Sequence, residues 1–502
     1  MFYIQEARVT RKLRETGRRV WAAVAGNSFD GAPSGRVIFS FVVDADPKFA
    51  YQGYHLARSL IEYSVDAAED VHVQFTAEVP ADIRALFATL GCSQHQIERF
   101  GDGRYCNKIA QLANLHALHF DAVVLLDTDM IALGDIRPFL SDSRLVAKPV
   151  DLPNPPVAVL EEIARLAGMA AMPATEQVDA SADVTLAGNF NGGFYGIPRR
   201  LCRRVDDAWR HWATWLIDNI EPLRKIGKEV HVDQVSMWIA LHVAGIPYRA
   251  AASNVNYYVH FNGAHNYLDP ASDIVLLHYH DVSLNVLGKL EPPAVLDSRE
   301  RRAVEQANRQ ISQGFENSLF WNLRYSRFPE RGSGVGSRGE NLLYKRKLLI
   351  EQGVEEAASV VDVGCGDLEV VKPLQLRNYL GLDTSRLAIE AARRVRPDWT
   401  FAHVDHCRKD ALSFRREMVL CFEVLIHQCS EADYRELIRF LADCTDRTLI
   451  VSGYAGDYEG RAENSMVYFY EPLDESLRNT GKFRSVRRIG SHTDVAVFRC
   501  DV

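Results

Sequence analysis

The run Ala122-Val123-Val124-Leu125-Leu126, ending in Asp127-Thr128-Asp129, constrains this chain more than any other stretch. Five consecutive apolar residues of this kind read as a buried strand, the kind that lies in a sheet covered by helices. Residues two apart on an extended segment share a face. Asp127 and Asp129 therefore offer paired hard oxygen ligands, of the sort Mg²⁺ or Mn²⁺ accepts when it carries a diphosphate.

The flanking sequence alternates in the same way. Val37 to Val43 is a buried strand, Lys48 to Tyr63 a helix with Leu56, Leu60 and Tyr63 along one side, and Val71 to Phe75 a strand. Pro80 to Leu90 and Tyr105 to His119 read as helices, the first with proline in its opening turn. Alternation of this kind predicts an α/β fold, a mostly parallel sheet with helices on both faces and ligands at the carboxyl ends of the strands. Val43-Asp44 and the Asp pair both fall at that end.

Four further segments carry chemistry suited to the same ligand. Lys108 precedes the Asp strand and could neutralise a phosphate. Asn191-Gly192-Gly193 supplies an amide for sugar hydroxyls and glycines that let backbone approach closely. His231-Val232-Asp233-Gln234 opens a helix with an acid and an amide together, and Leu276-Leu277-His278-Tyr279-His280 brings a histidine able to complete a metal shell. Each also has a plainer reading. Lys108 can be a surface lysine, Asn191-Gly192-Gly193 a turn, Asp233 a helix cap and His280 an ordinary strand residue.

Taken in order, Val42-Val43-Asp44, Asn107-Lys108, Leu125-Leu126-Asp127-Thr128-Asp129, Phe190-Asn191-Gly192-Gly193, Asp233-Gln234 and Leu277-His278-Tyr279 resemble the GT-A-fold glycosyltransferases of the glycogenin-like kind. That group includes bacterial lipopolysaccharide galactosyl- and glucosyltransferases. The resemblance covers residues 36 to about 290. It implies that Val43 and Asp44 hold the nucleoside, that Lys108 faces the diphosphate, and that Asp127, Asp129 and His278 bind the metal. It places Thr128, Asn191 and Gly192 at the donor, with Asp233 and Gln234 beside the anomeric carbon. Two departures stand out: Asn-Gly-Gly replaces the commoner Asn-Ala-Gly, and the Lys-Pro-Trp that usually follows the histidine is absent.

A second strand-and-turn unit begins at Val360-Val361-Asp362-Val363-Gly364-Cys365-Gly366-Asp367. Its glycines let backbone N–H groups approach a ligand. Asp383, after Tyr379-Leu380-Gly381-Leu382, lies at the spacing of a carboxylate that grips ribose hydroxyls. A dinucleotide fold wants a third glycine where Glu369 stands, which favours S-adenosylmethionine over NAD. The strand-like runs Ser359 to Val363, Tyr379 to Leu382, Thr400 to Val404, Met418 to Phe422, Thr448 to Ser452 and Val495 to Phe498 complete the alternation.

From about Tyr325 onward the chain resembles a class I S-adenosylmethionine-dependent methyltransferase with a Rossmann-like fold. Asp362, Gly364 and Gly366 match the first motif, Asp383 the ribose-binding acid, Asp405 the adenine-side segment, and Cys421-Phe422-Glu423-Val424-Leu425-Ile426-His427 the fourth motif. Leu368 departs from the family's third glycine. His427 is the candidate base for a hydroxyl, and the loop Gly332 to Gly339 is either a lid over the cofactor or a linker.

At 502 residues the chain calls for two or three domains. The expected division is a basic extension over 1–35, a glycosyltransferase domain over 36–290, a connecting helix over 291–324 and a methyltransferase domain over 325–502. A net charge of −8 argues against general nucleic-acid binding. Nine cysteines without a Cys-x-x-Cys pair suggest reduced thiols and a cytoplasmic protein. No apolar run reaches the ~18–20 residues of a spanning helix, so any membrane contact, through the basic N-terminus at the inner face, is peripheral.

The expected function is bifunctional: metal-dependent transfer of a sugar from a UDP-sugar or similar donor to a glycan or lipid-linked glycan, with retention, and methylation of a sugar hydroxyl. The rivals are a methyltransferase half with an unrelated target, and one half acting as a non-catalytic scaffold.

Overall fold

The computed structural model describes residues 31–262, 265–269, 272–404, 411–456, 466–492 and 494–502. The basic N-terminal segment and Asp405 lie outside the described residues. The chain forms two compact units. One holds the described residues up to Leu284 together with Leu290–Ile311, and the other Asn285–Lys289 together with Ser312–Val502.

The first unit contains strands β1 Val37–Val43, β2 Val71–Phe75, β3 Ser93–Gln96, β4 Ala122–Leu126, β5 Met130–Ala132, β6 Leu145–Pro149, β7 Thr175–Gln177, β8 Val184–Leu186, β9 Phe190–Pro198, β10 Tyr248–Ala250, β11 Val255–Tyr258 and β12 Leu276–His278. Seven of them form one mixed sheet in the order β10-β6-β9-β4-β1-β2-β3. β1 pairs in parallel with both β2 and β4, while β9 runs antiparallel to β4 and β6. β1 and β4 are apolar and buried on both faces because helices cover the sheet on each side. Strand order reverses between β1 and β4, which opens a crevice at their carboxyl ends. Asp44 leaves β1 and Asp127 leaves β4 at that crevice.

A smaller sheet, β11-β12-β5, completes the site. β5 begins just after the Asp pair and runs antiparallel to β12, so His278 lies opposite Met130. The register between β11 and β12 shifts between Val255 and Tyr257, leaving Asn256 as the extra residue of a bulge.

The second unit contains β13 Val360–Val363, β14 Tyr379–Asp383, β15 Thr400–His403, β16 Arg416–Cys421, β17 Thr445–Gly453, β18 Ser485–His492 and β19 Val495–Asp501. They form one sheet in the order β15-β14-β13-β16-β17-β19-β18. β13 to β17 are parallel, and β19 runs antiparallel to its neighbours β17 and β18. This is the Rossmann-like arrangement expected for the C-terminal part.

Among the departures from the sequence reading, three have a plain physical cause. Tyr105 to His119 is a 3₁₀ segment, Tyr105–Ala110, followed by a short helix, Gln111–Leu115. Side chains compete with helical bonding there: the Asp102 carboxylate accepts from the N–H groups of Arg104 and Cys106, and Asn107 caps Phe100. The stretch read as one connecting helix holds two, Ser298–Gln313 and Asn317–Arg327, the second capped by Glu316. β18 escaped notice because it is an edge strand whose Arg487-Arg488 stand exposed, a protected edge rather than a buried alternation.

Candidate active sites

Asp127 and Asp129 project from the turn that links β4 to β5. Thr128, between them, points the other way into the helix Pro47–Tyr63, where its hydroxyl donates to Gln52 at 3.2 Å. The carboxylates meet the last residue of β12: Asp129 Oδ1 lies 3.3 Å from His278 Nε2. One ligand atom each from Asp127, Asp129 and His278 fall within 4.8 Å of one another. Two hard oxygens and an imidazole nitrogen at this spacing fit a single Mn²⁺ or Mg²⁺. Burial alone would raise the Asp129 carboxyl, but the facing imidazole outweighs it and holds Asp129 well below the ordinary carboxylate range.

Lys108 ties this group to the helix Val232–Val243. Its ammonium lies 2.6 Å from Asp127 and 3.1 Å from Asp233, and donates to the Gly192 carbonyl at 3.1 Å. Burial works against the charge, yet the two carboxylates more than offset it and keep Lys108 protonated. Asp233 sits in the first turn of that helix, whose cap is His231. Its side chain therefore serves Lys108 rather than the helix end. Burial pushes the Asp233 carboxyl up, with Lys108 opposing. Gln234 is buried and donates to the Asn154 carbonyl at 2.9 Å and to the Asn189 side chain at 3.3 Å.

Asn191, Gly192 and Gly193 begin β9. A Cβ on Gly192 would lie 2.8 Å from Asp233 Oδ2 and 3.2 Å from Lys108 Nζ, and one on Gly193 would lie 2.7 Å from the His278 ring. Both glycines are thus required by the groups around them, which accounts for Gly192 where the resembling family commonly has alanine.

Asp44 stands at the end of β1, held by Arg99 at 2.7 Å, by the Thr76 hydroxyl at 2.9 Å and by Asn107 at 3.4 Å. The Val43 side chain is buried in the core, so Val43 and Thr128 offer a donor no side chain, because alternation turns both inward. Arg99 and Asn256 were missed in the sequence. Arg99 lies outside any motif, and a bulge residue has no sequence signature.

In the second unit, β13 runs into a tight turn. Gly364 and Gly366 take φ of 78° and 54°, a region open mainly to glycine. A Cβ on Gly364 would strike Val424, and one on Gly366 would strike the Ser333 hydroxyl. Gly366 donates to Asp383 at 2.9 Å, and Ser385 donates to the other carboxylate oxygen at 2.8 Å. From the end of β14, Asp383 thereby fixes the glycine turn that follows β13. Burial pushes its carboxyl up to about 6. Asp362 accepts from Tyr379 at 2.9 Å, and burial pushes it up to about 7. Leu368, where the family has its third glycine, takes φ of 62°.

The loop after Gly332 lies over this turn. Asp367 accepts from the Ser333 hydroxyl at 2.8 Å and from Arg338 at 2.5 Å. Glu423, following β16, pairs with the buried Lys345 at 2.7 Å and with His492. These partners outweigh its burial and hold it down to about 2. His427 donates from Nδ1 to the Met466 carbonyl at 3.1 Å, which leaves Nε2 as an acceptor. Burial lowers its pKa and keeps the ring neutral. Tyr325, whose hydroxyl lies 2.9 Å from that of Ser333, escaped the sequence reading along with the grouping of Ser333, Arg338 and Asp367, since only the fold brings them together.

Residues 39–245 match the family model of the Rhodobacterales glycosyltransferase domain. Among solved structures, the C-terminal part is similar to methyltransferases. The magnesium protoporphyrin IX methyltransferase of Synechocystis PCC 6803 with bound SAH is 22% identical, with 32% of this chain and 81% of that one covered at a TM-score of 0.27. The N-methyltransferase NodS of Bradyrhizobium japonicum WM9 is 14% identical, with 32% and 85% covered at 0.26. The methyltransferase domain of a bacterial Hen1 is 17% identical, with 32% and 97% covered at 0.27. A search of curated proteins found no match.

Proposed function

We propose that this chain is a bifunctional enzyme of glycan synthesis. Its first unit transfers a sugar from a nucleoside diphosphate sugar, a UDP-sugar by preference, to a hydroxyl of a glycan or lipid-linked glycan. The observation that carries this reading is the convergence of Asp127, Asp129 and His278 within 4.8 Å, beside a lysine shared by Asp127 and Asp233. A Mn²⁺ or Mg²⁺ held by those three residues supplies Lewis-acid neutralisation of the leaving diphosphate. Lys108 adds a fixed positive charge on the same side. Asn191 and the backbone at Gly192 line the donor sugar, while Asp44 and Arg99 stand at the nucleoside end. Asp233 and Gln234 steady the positive charge that develops at the anomeric carbon, and the product keeps the donor's configuration.

The second unit methylates a hydroxyl of the glycan with S-adenosylmethionine. Asp383 accepts hydrogen bonds from the ribose hydroxyls, and the Gly364–Gly366 turn admits the cofactor's backbone-facing edge. The acceptor hydroxyl's proton goes to Nε2 of His427 as its oxygen takes the methyl group from sulfur. The eight cysteines among the described residues are all free, which suits a reducing compartment such as the cytoplasm. Among the described residues no helix is long and apolar enough to cross a membrane.

Mass spectrometry of products from a panel of nucleotide sugars, with and without S-adenosylmethionine, tests both halves. A hexose added to the acceptor, followed by a further methyl group only when the second cofactor is present, is the expected result. Methylation without any sugar transfer from the panel would leave the first half without support, and NMR showing a β linkage from an α donor would overturn retention.

A further inference from the structure

Asn256 is fully buried, and both ends of its side-chain amide are spent on the site described above. Its role follows from a chain of hydrogen bonds whose direction is fixed at one end. The backbone N–H of Gly193 is an obligate donor, and it donates to the Asn191 side chain at 2.9 Å. The accepting atom of Asn191 must therefore be its oxygen. Asn256 approaches that oxygen at 3.2 Å, so the atom it presents must be its NH₂ group. Its other end is then the carbonyl oxygen, which lies 2.8 Å from Nδ1 of His278. An amide oxygen carries no hydrogen, so the proton of that contact sits on Nδ1.

The consequence falls on Nε2 of His278. With one proton committed to Nδ1, the position left to vary is Nε2, 3.3 Å from the Asp129 oxygen. There Nε2 either carries a second proton toward Asp129 or, once that proton is given up, turns its lone pair to a metal. The same relay turns the NH₂ group of Asn191 away from Asn256, as a donor available to a sugar.

We propose that Asn256 is a positioning residue that sets the Nδ1–H tautomer of His278 and the orientation of Asn191 together, coupling the metal site to the donor-sugar site through one side chain. The proposal rests on the metal reading above for its functional consequence, although the relay itself is independent of any ion.

The backbone is built for this task. Asn256 takes φ of 78°, which asparagine tolerates better than most residues, and it is the extra residue of the β11 bulge. Without the bulge, alternation would point this side chain to the opposite face. A separate set of groups holds the bulge. Lys148, wholly buried, donates to the Asn256 carbonyl at 2.7 Å, pairs with Asp179 at 2.7 Å and lies 3.5 Å from the centre of the Tyr258 ring. Asp179 also accepts from His265 at 2.7 Å. The scaffold thus grips the Asn256 carbonyl and leaves its side chain to the site.

Asn256→Gly removes the relay while suiting the left-handed backbone. Asn256→Asp keeps an acceptor for His278 and loses the donor to Asn191. In the full-length, metal-free protein labelled with ¹⁵N-histidine, His278 (assigned with His278→Gln) should show a protonated Nδ1, whether or not Nε2 carries a second proton toward Asp129. Asn256→Gly should lose that signature and bind Mn²⁺ about ten- to a hundredfold more weakly in a titration, the usual effect of losing a partner of a metal-bound histidine. Asn256→Asp should keep Mn²⁺ affinity near the parent's and raise the donor KM. A wild-type His278 protonated on Nε2 alone, or an Asn256→Gly protein that binds Mn²⁺ as the parent does, would overturn the proposal. If the wild type showed the Nδ1–H signature, and Asn256→Gly lost it, but neither bound Mn²⁺, the relay would stand and the metal reading would fall.

Discussion

At or near the carboxyl ends of strands, Asp127 and Asp129 of the first unit and Asp362 and Asp383 of the second stand in opposite electrostatics. In the first, Asp127 and Asp233 share Lys108, and Asp129 faces His278, which holds Asp129 well below the ordinary carboxylate range against its own burial. In the second, Asp383 bonds to backbone N–H groups and Asp362 to a phenol, and burial pushes them up to about 6 and about 7. Acids embedded among charges suit a site that must exchange a cation and a dianionic leaving group. Acids among neutral donors suit a ligand read through its hydroxyls. The same strand-end architecture therefore serves two chemistries through the partners of its carboxylates.

The sharpest way to break the comparison is to remove a charged group from the first unit alone. Asp127→Ala or Asp129→Ala should lower sugar transfer by roughly a thousandfold or more, the scale of losing a main electrostatic stabiliser of a leaving group. Methylation of a supplied glycan should persist in the same preparation. Equal loss of both activities would mean that the two sites do not work separately, and full sugar transfer in EDTA would remove the metal from the first site.

The reciprocal change is Asp383→Ala. It leaves the Gly366 and Ser385 N–H groups without their acceptor and the ribose hydroxyls without theirs. Unpaired buried groups cost about 1–3 kcal/mol, so S-adenosylmethionine should bind roughly ten- to a hundredfold more weakly. Isothermal titration of the full chain measures this, with sugar transfer as the control that should not move. Binding of NAD in place of S-adenosylmethionine by the parent protein would replace the methyltransferase reading altogether.

How far the sequence carried this picture differs between the units for a physical reason. Strand ends with acids or glycines are local signals, so the Asp127–Asp129 pair, Gly364, Gly366 and Asp383 could be picked out directly. The convergence of Lys108 with Asp233 was open only as a resemblance, because 125 positions separate them and only the sheet order brings them together. Asn256 was illegible, since its role depends on a bulge created by how β11 pairs with β12. The loop Gly332 to Gly339, read as either a lid over the cofactor or a linker, bonds to Asp367 at the glycine turn, contacts no local pattern announces. Thr128 shows the opposite error. Membership in a motif suggested a ligand contact, and simple alternation along the chain turns it inward.

Gly192→Ala gives a smaller and more discriminating test. The added methyl would lie 2.8 Å from Asp233 Oδ2 and 3.2 Å from Lys108 Nζ, so the pair must shift by a fraction of an ångström. Displacements of that size in a catalytic group cost up to about a hundredfold, and an effect nearer tenfold on kcat for sugar transfer is expected here. Metal affinity should change less than kcat, because the nearest atoms to the methyl belong to Asp233 and Lys108 rather than to a metal ligand. If the variant matched the parent, this position would tolerate the alanine common in the resembling family and the close fit around Lys108 would carry no catalytic weight.

The mildest effect is a dependence on pH whose sign should differ between Asp362 and Asp383 on one side and Asp129 on the other. Asp362 and Asp383 hold their protons to higher pH in the folded protein than the roughly 3.9 of an unfolded aspartate. Between about 4 and 7 the native second unit therefore binds more protons than its unfolded chain, and its stability falls as pH rises through that window. Asp129 has the reverse sign: its depressed value contributes stability above the unfolded pKa that is lost only as pH falls through the folded one. In calorimetry of the full chain, the transition assigned to the second unit by its shift with S-adenosylmethionine should move down by a few degrees from pH 5 to pH 7.5, at roughly 2–4 °C per kcal/mol. Asp362→Asn should flatten that slope without touching the other transition. Binding of S-adenosylmethionine should weaken below about pH 6, as Asp383 takes up the proton that its role as an acceptor requires it to lose. A second-unit transition that rose over this range in the parent, or kept its slope in Asp362→Asn, would show that burial does not govern these carboxyls, and the contrast between the two sites would rest on their geometry alone.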